Sequence, residues 1–372
     1  MTTNPTQPPA ASQSPATSQP PATLLGNLSS GFDALAGIEE ARDVRGRPQT
    51  TLDRLLEVGE YFIKEYSGRG DIYFSNVNAM NKDKAYVQLY QELEGQKLKG
   101  VDFTEEDLRQ YVLAKANSDY SAEIQQKVLG MYTGALLQLL TERNKEQEKL
   151  TIFQFNGRGN RFDYLFYFAK FIDNIIIENF TGNGICGYIG SYNGNVNEIM
   201  CINIEGEGVC SNVGSYNGHV NSIILINGKG KFAASNIGSN KGHAEHAISI
   251  NQDGDYTLAD GGGHWGNLEH TIIINNVGKQ QPFSVFNASK GTAIRIADWR
   301  NHESPNPEYM LRSIHYTQDK IVQLKPLFEK VLCITEQMKD KPLFIMLMLL
   351  NQVNSLVQRI PFGKYDLEDY RD

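Results

Sequence analysis

Five of the seven histidines fall between residues 219 and 270, and they fall in step. His219 and His243 are 24 residues apart, as are His246 and His270, and as are Glu245 and Glu269. Imidazoles and carboxylates at matched positions of a repeat are the ligand types that hold Zn²⁺ or a similar ion. His219, His243, Glu245, His246, Glu269 and His270 are therefore the candidate metal set. The plainer reading is a set of polar residues that drift within a repeat. Other copies carry Asn195, Asn267, Glu198 and Ser222 at the same positions. Spacing alone sets no coordination geometry, so no cofactor is assigned.

A second chemistry belongs to the acids. Asp253, Asp255 and Asp260 cluster within eight residues beside His264, and Asp298 follows one or two repeats later. Two carboxylates about 5 to 9.5 Å apart can carry out glycoside hydrolysis. Against this, Asp253 and Asp255 flank a glycine, which is ordinary turn chemistry. A third set is aromatic. Tyr192, Tyr216 and Trp265 sit at or near one recurring corner, where they could stack on a sugar ring or anchor a protein partner. Gly182-Asn-Gly-Ile-Cys-Gly187 fits the G-x-G-x-x-G pattern, but a nucleotide site needs a helix after it, and here more strand-like sequence follows. Cys186 and Cys210 also stand one period apart and are expected as stacked neighbours.

The element that must position all of these is the period itself. Gly190-Ser-Tyr-Asn-Gly194 recurs as Gly214-Ser-Tyr-Asn-Gly218, then Gly238-Ser-Asn-Lys-Gly242, then Gly262-Gly-His-Trp-Gly266. Asparagines stand at 179, 203, 227, 251 and 275, and glycines at 182, 206, 230, 254 and 278. Short β-type runs with glycine corners at this period predict a β-solenoid, a parallel β-helix of 24-residue coils with about five to seven rungs. Rungs about 4.8 Å apart would stack the asparagines into an amide ladder. Side chains two apart share a face. We place Met200, Ile224, Ile248 and Ile272, with Ile202, Ile226, Ile250 and Ile274, inside. A second strand is expected near residues 209–213. Ile175, Ile177, Ile199, Cys201, Ile223, Leu225 and Ile273 are then expected outside. That face is too apolar to be fully wet, so the chain's own helices or a second copy should cover it.

Residues 151–300 are thus the solenoid, with residues 151–170 and 292–299 as worn end copies. Residues 1–24 are rich in Pro, Ser, Thr, Gln and Ala without a charge, a composition that predicts disorder. Residues 25–150 read as helical: Leu52, Leu55, Leu56, Phe62, Ile63 and Tyr66 keep helical spacing, Thr104 to Asp107 resembles a capping box, and Ile124 to Leu140 mark a longer helix. Residues 301–372 predict a helical pair, bent at Pro326 and divided near Pro342, and then an acidic tail.

A net charge of −8 with pI near 5.5 and no basic stripe disfavours nucleic acid as a partner. The longest apolar run, Leu343 to Leu350, is too short for the roughly 20 residues that span a bilayer, so no membrane segment is expected. Four cysteines do not form a secreted disulfide framework. A cytoplasmic location is the default.

"GGGHWG" (261–266) with "IRIAD" (294–298) resembles the His and Arg segments of the pectinase group of right-handed parallel β-helices. The resemblance implies a polysaccharide-cleaving enzyme. The Asp-Asp pair expected beside the histidine segment is missing, and the coils are more regular than in such enzymes. The sequence therefore favours a non-catalytic scaffold that presents a rigid repeat surface to a protein or glycan. A carbohydrate-active enzyme and a histidine-based metal binder are the alternatives.

Overall fold

Where the period is 24, each coil lays one strand beside the next. In the computed structural model, which describes residues 49–68, 79–277, 292–296, 318–359 and 363–364, these strands are β1 (Ile152–Asn156), β2 (Phe171–Glu178), β3 (Asn195–Ile202), β4 (His219–Ile226), β5 (His243–Ile250), β6 (Asn267–Ile274) and β7 (Thr292–Ile296). They pair in sequence order and in parallel. The chain is a β-solenoid of about five turns. From β2 to β6 every partner is 24 residues away, as Ile199↔Ile223 and Ile223↔Ala247 show. The end copies are shorter: Ile152 pairs with Asn174 and His270 with Thr292, both 22 residues away. Asn156 therefore faces Glu178 rather than falling in the asparagine column.

The strand phase corrects the sequence reading. Val196, Ile199 and Cys201 of β3 face the solenoid core, as do Val220, Ile223 and Leu225 of β4. Met200, Ile202, Ile224, Ile226, Ile248, Ile250 and Ile274 face outward. The step from Val196 to Ile199 is three residues, so strict alternation breaks at residues 197–198 and the face changes there. Two further helices cover the outer face: α5 (Gln318–Glu336), which contains Pro326, and α6 (Leu343–Val357). Val331, Ile334, Met338, Met346, Leu350 and Val353 pack over the outward isoleucines. The chain therefore buries both faces of its own sheet, as parallel sheets generally require.

The wall opposite the strands is not a second strand. Every second residue there has positive φ: Gly208, Cys210, Asn212 and Gly214 in one coil, Phe232, Ala234, Asn236 and Gly238 in the next. Its N–H groups bond alternately to the two neighbouring coils. Cys210 N donates to Ile185 O (2.8 Å) and Asn212 N to Ser235 O (2.7 Å). The left-handed residues of this wall thus satisfy their N–H groups between coils without a β-ladder.

Corners are closed by glycine for lack of space. A Cβ on Gly206 would stand 1.8 Å from Gly182 O, and one on Gly218 would stand 2.0 Å from Gly190 O. The asparagine column also lies at a corner, with φ of 52–57° at Asn179, Asn203, Asn227, Asn251 and Asn275. Asparagine tolerates this conformation better than other non-glycine residues. Its amides form the expected ladder. Nδ2 of Asn203 donates to Asn179 Oδ1 (2.9 Å), and Asn227 to Asn203 (3.1 Å). Asn251 continues to Asn227 (2.9 Å) and Asn275 to Asn251 (2.8 Å).

The first coil lies on a helical layer of α1 (Thr51–Gly68), α2 (Ala79–Glu92, continued by a π-turn), α3 (Glu105–Lys115) and α4 (Glu123–Glu146). The reciprocal Thr104–Asp107 capping box starts α3. Helix α4 is not amphipathic as its spacing suggests; residues 127–141 are buried without a break, between the other helices and the coil. Two glycines let it approach: a Cβ on Gly130 would be 2.1 Å from Tyr164 O, and one on Gly134 would be 2.6 Å from Tyr167 O. Thr133 Oγ1 and Gln138 Oε1 accept from Phe166 N (3.1 Å) and Lys170 N (2.9 Å), occupying donors the first coil would otherwise leave open. At the far end β8 (Gly363–Lys364) pairs antiparallel with β7. No helix among the described residues is long and apolar enough to cross a membrane.

Candidate interaction surface

The functional side chains proposed from sequence that fall among the described residues lie on the solenoid, and the rungs stack like over like. At the start of the strands, His219 stacks on His243 with ring centroids 4.8 Å apart, and His246 stacks on His270 at 5.1 Å. The carboxylates answer diagonally: Glu269 lies 3.4 Å from His243 Nε2, and Glu245 lies 3.9 Å from His219 Nε2. Neutral partners complete the row. His219 Nε2 is 2.6 Å from Asn221 Oδ1, and Asn267 Nδ2 is 3.1 Å from His243 Nδ1. Partial burial, and then the neighbouring His270, lower the pKa of His246, which favours its neutral form. Among the described residues, one trio of His, Cys or carboxylate ligand atoms lies within 4.8 Å of one another, and it is not drawn from this set.

The acids are spread along one coil. Asp253 is exposed at a corner, in a column that pairs Lys229 below with Val277 above. It lines a groove of about 550 Å³ together with Asn203, Asn227, Asn251, Lys229 and Lys339. Asp255 and Asp260 belong to the left-handed wall; Asp255 O accepts from Phe232 N (2.9 Å), and Asp260 has φ of 53°. Neither lines that groove. Asp298 lies outside the described residues, as does the 1–24 tail.

The aromatic set divides. Tyr192 and Tyr216 stack in parallel at 4.6 Å, and Phe168 extends the pile beneath Tyr192 at 6.0 Å. Tyr192 is inside this pile: its hydroxyl is buried with no hydrogen-bond partner among the described residues, and burial raises its pKa well above the usual phenol value. Trp265 is not in that column. The column of Tyr192 and Tyr216 continues through Asn240 to His264, and Trp265 continues the adjacent crest of Asn193, Asn217 and Lys241. All four crest residues are left-handed and exposed, and Trp265 is 92% exposed.

One constellation was only half visible in the sequence. Cys186 and Cys210 are stacked as expected, but Cys201 joins them from the strand wall. The inverted strand phase hid it, because that phase placed Cys201 on the outside. None of the three is in a disulfide. The chain matches no protein-family model, no curated protein sequence and no solved structure.

Proposed function

We propose that the chain is a non-catalytic interaction scaffold whose rigid rungs hold a contact crest for a protein or glycan partner. The observation that carries this reading is Trp265. A tryptophan 92% exposed, in a structure that buries both faces of its sheet, is an unusual placement of a large apolar side chain. The surroundings suit recognition. Asn193, Asn217 and Lys241 line up along the crest at rung spacing, with the His219–His243 stack one corner residue further on. The backbone on either side of the crest is held to both neighbouring coils, Tyr216 N to Ser239 O (3.1 Å) and His219 N to Gly194 O (3.0 Å), which limits the order to be gained on binding.

The test is a direct binding comparison of the full chain and its Trp265→Ala variant, on a glycan array and against partners recovered by cross-linking. Loss of at least tenfold in affinity on truncation is expected for an anchor residue. Equal binding by both proteins would remove the crest assignment. The same polysaccharides should be assayed for new reducing ends; turnover abolished by Asp253→Asn would replace the scaffold reading with the enzyme one.

A further inference from the structure

Cys186, Cys201 and Cys210 meet inside the solenoid although they come from two coils and two walls. Cys186 and Cys210 are one rung apart on the left-handed wall; Cys201 reaches across from β3, with its Sγ 3.4 Å from that of Cys210. All three sulfurs lie within 4.8 Å of one another. The residues are 0%, 2% and 0% exposed. The repeat does not impose this grouping. The same inward column of the left-handed wall goes on to Ala234 and Leu258, and that of the strand wall holds Ile177, Leu225, Ser249 and Ile273. Sulfur faces sulfur at one height only.

Among the described residues no His, Asp or Glu joins the group, so the donor set is three sulfurs. A structural zinc site calls for four ligands. Charge narrows the choice further. Three thiolates carry −3, and an apolar interior penalises whatever charge is left over. Copper(I) would leave −2 and zinc −1, while a trivalent centre leaves none.

We propose that Cys186, Cys201 and Cys210 form a three-coordinate thiolate site for a soft trivalent metalloid, of the class represented by arsenic(III). Uptake from arsenous acid balances without redox change. Each of three As–OH bonds is exchanged for an As–S bond, and each thiol proton leaves on the departing hydroxide as water. A cavity of about 10 Å³, roughly the space of one water molecule, adjoins Cys201 between Gly206, Val209 and Leu225, next to where that water is released.

The full chain, reduced and verified by thiol titration, is incubated with arsenous acid and, separately, with Zn²⁺. Native mass spectrometry is expected to show one arsenic per chain, and X-ray absorption at the arsenic edge three sulfur neighbours and no oxygen. Cys333→Ser, at the exposed fourth cysteine, should leave uptake unchanged. Cys201→Ser and Cys210→Ala, whose columns already hold Ser249 and Ala234, should fold and bind at least tenfold more weakly. Folding of each variant is read from its thermal transition. Reduced, folded wild-type protein that takes up no arsenic would overturn the proposal. So would uptake indifferent to Cys201→Ser, a shell of two sulfurs and one oxygen, or tighter binding of zinc than of arsenic.

Discussion

On the strand wall, Ile199, Ile223 and Ala247 face the core from extended backbone; across from them Cys210, Ala234 and Leu258 face it from left-handed backbone. The two walls bury similar apolar side chains and stack at the same 24-residue interval. They differ in what holds the backbone. A strand is a low-energy conformation for isoleucine, whereas a left-handed residue other than glycine costs about 1–2 kcal/mol. Tyr256, Leu258 and Asp260 meet that cost within a single coil. Alternate N–H bonds to the coils on either side over-determine the wall, and strain of this kind persists only where the surroundings do so. A residue on the strand wall can therefore be judged by its own propensity, but one on the left-handed wall only by its neighbours in the stack.

The largest test of this contrast lies where the walls join. Gly206→Ala would drive a methyl group into Gly182 O of the coil below, a backbone atom that cannot step aside. A loss of about 5 kcal/mol, beyond ordinary overpacking, is expected in urea unfolding. Next come two truncations on one strand. Ile223→Ala and Ile226→Ala should each cost about 3 kcal/mol, but by different routes. Ile223 is in the solenoid core and Ile226 lies beneath α5 and α6. Hydrogen exchange should show global loosening for the first, and for the second release of the two helices ahead of the coils.

A smaller pair sharpens the contrast through opposite signs. Lys241 is exposed at φ 64°, so Lys241→Gly should stabilise by about 1 kcal/mol. Ala247 is buried in β5, where glycine should cost about 1 kcal/mol. The same sign at both sites would dissolve the distinction between left-handed and extended positions. The smallest effect is that of pH. The folded state holds His246 neutral to a lower pH than the unfolded chain does. Between the unfolded value, about 6.5, and the lowered folded one, the unfolded state binds more protons. Stability should fall slightly as pH drops through that window, and His246→Gln should remove part of the slope.

The sequence revealed what stacking makes periodic. Asn203, Asn227 and Asn251 could be seen as a ladder, because identical residues at one interval leave few other arrangements. Strand phase could not be read in the same way. Ile223, Ile224, Leu225 and Ile226 are all apolar since both faces are buried, so alternation carried no signal; the inward Val220 was the missing marker. The left-handed wall was hidden for another reason. Positive φ is usually announced by glycine, and here it falls on Cys210, Ala234 and Leu258. Helix α2 had no strong spacing of its own. The cysteine trio needed both missing facts at once, the phase of β3 and the course of the opposite wall.

The amides of the five stacked asparagines all point the same way: Nδ2 of Asn203, Asn227, Asn251 and Asn275 each donates to the Oδ1 of the preceding coil, ending on Asn179. Turning one of them over would set donor against donor on one side and acceptor against acceptor on the other. The five orientations are thus a single binary variable. Its value is chosen from outside the column. Thr335 O in the last turn of α5 and Met338 O in the turn after it can only accept, and they take the second N–H of Asn251 (2.7 Å) and Asn227 (3.1 Å). Two carbonyls, one in the last turn of α5 and one in the turn that follows it, thereby set the sense of a dipole chain running through five coils, including amides they never touch.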